Sequence, residues 1–61
     1  MQRYTMKYQD GSEESFTAED SYNAIRTSEQ IAEDKHTGPY EYTLYDAQEH
    51  KIYICNRSYL R

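Results

Sequence analysis

Eight tyrosines set against six leucines and isoleucines constrain the fold of this chain more than any other feature. The aliphatic residues are Ile25, Ile31, Leu44, Ile52, Ile54 and Leu60, too few to close a core by themselves, so the interior must be built partly from tyrosine rings. A buried tyrosine contributes a large apolar area, but its hydroxyl needs a partner or water. Many of the rings are therefore expected to stand half exposed, with their edges at the surface. The chain has 61 residues, enough for one domain, 1–61, with a small core and a stability of a few kcal/mol.

The order of residues predicts an α+β fold. From Arg3 to Gln9 the chain alternates, Tyr4, Met6 and Tyr8 on one side and Arg3, Thr5, Lys7 and Gln9 on the other, which is the period of a half-buried strand. Asp10-Gly11 is a turn signal, and a short strand from Glu13 to Phe16 completes a hairpin. Thr17 is the expected N-cap of a helix from Ala18 to about Lys35, with Glu19 and Asp20 in its first turn. Projected at about 100° per residue, Ala18, Tyr22, Ile25 and Ala32 share the apolar face, Ser21 and Ser28 lie beside it and Ile31 to one flank. Gly38-Pro39 stops the helix. Tyr40 to Tyr45 is a third strand, Asp46 to His50 a hairpin loop, and Lys51 to Asn56 a fourth strand with Ile52 and Ile54 inward and Lys51, Tyr53 and Cys55 outward. Residues 57–61 form a tail anchored by Tyr59 or Leu60. The plan is β-(β)-α-β-β: a small antiparallel sheet of three to four strands with one helix packed across one face. The other face carries Thr5, Lys7, Thr43, Tyr45, Tyr53 and Cys55.

No arrangement of residues points to an enzyme, and neither a cofactor nor a metal is expected. His36, His50 and Cys55 lack the paired spacing of zinc sites. The histidines read as a helix-end and a hairpin-loop residue, and Cys55 as a small strand residue. Gly11 and Gly38 are too far apart for a phosphate loop. A single cysteine closes no intrachain disulfide, and without an apolar run of membrane length or a hydrophobic leader after Met1 the expected location is the cytoplasm.

The charge is uneven. Residues 10–34 carry Asp10, Glu13, Glu14, Glu19, Asp20, Glu29, Glu33 and Asp34 against Arg26 alone, while the rest of the chain has a small positive excess. Glu19 to Asp34 spans about 22 Å along the expected helix, a line of carboxylates suited to a basic surface. Glu33 and Asp34 oppose the helix dipole at its carboxyl end, so helix stability does not account for them. In size, in the acidic run from Asp10 to Asp34, in tyrosine content and in the one-helix sheet plan, the chain resembles the small acidic inhibitors of phages and mobile elements, among them the anti-CRISPR proteins. The resemblance lies in these general features and in no motif. It implies a host-cell protein that binds a CRISPR effector complex and blocks DNA loading by mimicry or by steric competition.

The expected contact residues are accordingly those eight carboxylates with Tyr45 and Tyr53. The expected partner is a basic protein or nucleic-acid-handling complex, with no membrane contact and no direct nucleic-acid binding. A monomer is the first expectation, and the edge strands leave a dimer open. Two other readings stand beside it: a nucleic-acid-binding module that stacks bases on Tyr45 and Tyr53, and a small structural or regulatory interaction domain whose acid serves solubility.

Overall fold

The structure, a computed structural model, describes residues 1–36 and 40–57. It is α+β, with β1 (Gln2–Tyr8), β2 (Glu13–Ala18), α1 (Ser21–Lys35), β3 (Tyr40–Tyr45) and β4 (Lys51–Arg57). The sheet is antiparallel throughout, in the order β2-β1-β3-β4. The helix connects edge strand β2 to central strand β3 and covers one face.

The first hairpin forms for local reasons. Gly11 takes φ +95°, which favours glycine, and the Asp10 carboxylate accepts from the Ser12 backbone N–H at 2.9 Å and the Ser12 hydroxyl at 2.7 Å. β2 runs two residues further than its sequence suggests, because it pairs with β1 from Lys7↔Glu13 to Gln2↔Ala18. Thr17 and Ala18 thus belong to the ladder, and the N-cap moves to Asp20, whose carboxylate accepts from the Asn23 N–H at 2.9 Å. Glu19 therefore precedes the helix, and its first turn contains no acidic residue.

The helix also presents a different face to the sheet than projection predicts. Ala24, Ser28 and Ala32 are buried, at spacings of four residues, with Ile25 and Ile31 partly buried beside them, whereas Tyr22 is 66% exposed. Small residues on the helix let its backbone lie close over large side chains on the sheet, the alternation of large and small that fills a core without voids. The large side chains are Tyr4, Tyr8, Tyr40 and Tyr42, with Met6 and Leu44 between them. All four rings are buried rather than half exposed. They pack on one another and on neighbours, Tyr8 edge-on to Tyr42 at 5.7 Å between centroids and Tyr4 stacked on Phe16 at 6.0 Å.

β4 reverses the expected facing of its residues. Leu44 pairs with Tyr53 but Tyr45 pairs with Lys51, so Ile52 is an extra residue in the ladder. A bulge of this kind puts two successive residues on the same side and inverts the alternation beyond it. Ile52 and Tyr53 both pack against the core, Cys55 is buried under the helix, and Ile54 is turned out to 54% exposure on the open face. β3 keeps its expected phase, Tyr40, Tyr42 and Leu44 inward. The expected Gly38-Pro39 stop and the anchoring by Tyr59 or Leu60 lie outside the described residues. Among the described residues no helix is long and apolar enough to cross a membrane.

Candidate functional surface

The eight acidic residues expected to form one line are distributed by the fold to three places. Asp10 sits in the β1–β2 turn, where the Ser12 N–H and hydroxyl hold its carboxyl below the ordinary range. Glu13 projects from the open face beside Lys7, its partner in β1. Of the other six, Glu14 projects from β2 on the helix side, Glu19 and Asp20 lead into the helix, and Glu29, Glu33 and Asp34 lie on it.

Within this helix-side group the carboxylates have distinct duties. Glu14 reaches the Lys35 ammonium at 2.5 Å and ties β2 to the last helical turn; that contact raises the Lys35 pKa. Glu29 accepts a hydrogen bond from the Tyr53 hydroxyl, which pushes the Tyr53 pKa up to about 12. Glu33 lies 3.8 Å from Arg57 of β4, so its position against the helix dipole has a structural cause after all. Asp34 accepts from the Gln30 side-chain amide at 3.2 Å. Asp20 serves as the cap. Asp20→Ala should lower stability by about 1 kcal/mol, while Asp20→Asn retains the cap and should change it by only a few tenths. Urea titration of the two variants checks this, and equal losses would mean that charge rather than capping is at work.

The helix carries no acidic residue between Ser21 and Ser28. The acid thus forms two clusters, Glu19 with Asp20 at one end and Glu29, Glu33 and Asp34 at the other, with about 14 Å of helix axis between Asp20 and Glu29 at 1.5 Å per residue. Between them Arg26 donates to the Tyr22 hydroxyl at 3.2 Å, with its guanidinium 5.8 Å from the ring centre. Tyr22, Arg26, Glu29, Gln30 and Glu33 line a shallow depression. Tyr22 and Arg26 were not among the residues expected to bind. Their i, i+4 spacing places them on one helix face, but only the correct rotation of the helix shows that this face looks outward.

Tyr45 and Tyr53 lie on opposite sides of the sheet. Tyr45 is on the open face, with the Lys7 ammonium 4.9 Å from its ring centre; Tyr53 points to the helix and Glu29. The two rings therefore do not form one stacking platform. Cys55 is buried, and burial pushes its thiol pKa up. His36 caps the helix between Tyr8 and Tyr40, and His50 is in the β3–β4 turn near Asp46, at the other end of the sheet.

Charge is segregated between the two faces. The helix side holds six carboxylates against Arg26, Lys35 and Arg57; the open face holds Arg3, Lys7 and Lys51 against Glu13 and Glu41. No protein-family model, no curated protein and no solved structure matches the chain.

Proposed function

We propose that the protein is a stoichiometric binding protein that lays its helix side on a basic, nucleic-acid-handling surface of a partner and blocks it sterically. The observation that carries this reading is the exposed Tyr22–Arg26 pair set between two acidic clusters on one face. Tyrosine and arginine are frequent anchors of protein interfaces, while surrounding charges act mainly on association rate and partner choice. The split of the acid into two clusters favours steric occupation over close imitation of a phosphate backbone. The resemblance to phage inhibitors nominates a guide-loaded CRISPR effector complex in the cytoplasm as the partner.

The test is the loading of a labelled target duplex onto such complexes in the presence of the protein. Wild type should suppress loading. Tyr22→Ala should weaken suppression about 30-fold, the effect of losing an anchor of about 2 kcal/mol. Asp34→Lys should mainly slow association and reduce its salt sensitivity. Duplex loading that proceeds unchanged at saturating protein would count against the reading, as would full potency in Tyr22→Ala.

A further inference from the structure

Strand β2 lies at an edge of the sheet with β1 as its neighbour. The Tyr8 N–H donates to the Ser12 carbonyl, and the ladder continues from Lys7↔Glu13 to Gln2↔Ala18. Ser12, Glu14, Phe16 and Ala18 therefore turn their backbone groups to β1, whereas Glu13, Ser15 and Thr17 turn theirs outward. These three residues are exposed, so three N–H and three C=O groups face away from the sheet in a row. Neither proline, lysine nor a bulge guards them. A shallow depression lined by Arg3, Ser15, Phe16 and Thr17 opens along the same edge.

The edge also carries a cation and an anion without ion-pair partners. Arg3 lies beside Thr17 and Glu13 beside Lys7, all four on the open face, and among the described residues neither Arg3 nor Glu13 enters an ion pair. A two-fold axis normal to the sheet brings β2 of two copies together antiparallel. With Ser15 opposite Ser15 of the second copy, Thr17 is opposite the second copy's Glu13, outward backbone groups meet outward ones, and open-face residues meet open-face ones. The Arg3 Cα is then about 10 Å from the Glu13 Cα of the second copy, one step of about 4.5 Å and one of about 5.5 Å. The two long side chains meet over Thr17, and symmetry makes the contact twice. The Thr5 and Ser15 hydroxyls, 3.4 Å apart, continue into the same two hydroxyls across the axis. The adjacent registers of the same facing are disfavoured, since one sets Glu14 opposite Glu14 and the other sets Glu13 opposite Glu19.

We propose that two copies of this chain pair through β2 into a closed dimer with one eight-stranded antiparallel sheet, joined by two Arg3–Glu13 ion pairs. The contact is isologous, so it ends at two copies. A second copy suits this edge because a single register satisfies the backbone groups and both charges at once. The dimer stands independently of the function proposed above.

Sedimentation equilibrium over a concentration series tests this with Arg3→Glu and Glu13→Lys, each checked for a wild-type circular dichroism spectrum. Wild type should reach the mass of two copies and no more, and should dissociate more readily in about 0.5 M salt. Either variant alone should dimerise ~10-fold or more weakly, because each contact then sets like charges together. An equimolar mixture of the two should recover association, since both contacts of the mixed dimer join opposite charges again, and the double variant should recover it for the same reason. Amide exchange of the wild type reads the backbone contact without any substitution: the Glu13, Ser15 and Thr17 N–H groups should slow as the dimer fills. A wild type that stays monomeric, an assembly that grows past two copies, or a mixture no better than its components would overturn the proposal. So would a dimer in which those three amides exchange as they do in the monomer.

Discussion

Raising the pH above 10 should unfold this protein in one cooperative step, with tyrosinate absorbance appearing as the circular dichroism is lost. Four tyrosines drive it. Burial raises the pKa of Tyr8, Tyr40 and Tyr42, and donation to Glu29 raises that of Tyr53 to about 12. A group whose pKa is raised on folding contributes stability that is complete below its unfolded value, about 10 for tyrosine, and lost as pH climbs through the folded value. Above pH 10 the folded state holds more protons than the unfolded one, so stability falls with pH. Tyr42 and Tyr53, raised furthest, each contribute a slope approaching about 1.4 kcal/mol per pH unit, and Tyr8 and Tyr40 add to it. A domain with a few kcal/mol of stability should not survive more than about two pH units of this. The Cys55 thiol, also raised by burial, starts the decline earlier. Gradual ionisation of all the tyrosines over several pH units with an unchanged circular dichroism spectrum would sink the prediction.

The second large effect concerns Ser28, which is 0% exposed in the middle of the helix. Its hydroxyl is 2.8 Å from the Ile25 carbonyl oxygen, to which it donates, and 2.8 Å from the Tyr42 hydroxyl. With its proton on the carbonyl, Ser28 accepts from Tyr42. Ser28→Ala should cost about 1–3 kcal/mol, because it leaves the Tyr42 hydroxyl buried with only the poor acceptor Cys55 nearby. Tyr42→Phe should cost less, about 0.5–1.5 kcal/mol, since Ser28 keeps its carbonyl bond. The double variant should cost little more than Tyr42→Phe alone, because no hydroxyl is then left unsatisfied. Urea denaturation of the three variants measures the coupling; strictly additive losses would show that the pair does not act as a unit.

How much of this was legible in the chain differs from element to element. β1 and β3 could be read from Tyr4, Met6 and Tyr8 and from Tyr40, Tyr42 and Leu44, since a two-residue alternation survives any regular pairing. The Asp10-Gly11 turn was equally plain, because its glycine and its carboxylate act within four residues. The start of the helix was not. Thr17 and Ala18 are adequate helix openers, and it is pairing with Arg3 and Gln2 that keeps them extended. The facing of β4 was hidden for a similar reason: Ile52 becomes an extra residue only through the register between Leu44 and Tyr53.

The candidate surface shows the same division. The acid of residues 10–34 is a property of the sequence, but its geometry is not. Strand alternation in β2 puts Glu13 and Glu14 on opposite faces, and bonds to Lys35, Tyr53 and Arg57 engage Glu14, Glu29 and Glu33 in the fold itself. A large ring on a thin apolar stripe reads as core, which is where projection puts Tyr22. The sheet already supplies four such rings, and the helix meets them with Ala24, Ser28 and Ala32, flanked by Ile25 and Ile31.

The sequence by itself thus determined that the core would be tyrosine-rich, that one helix would cover an antiparallel sheet, and that the acid would fall between residues 10 and 34. These follow from composition and from periods that each segment carries within itself. Tertiary structure alone decided which tyrosines are buried and which carboxylates are engaged within the fold, because both depend on how the helix layer and the sheet layer meet.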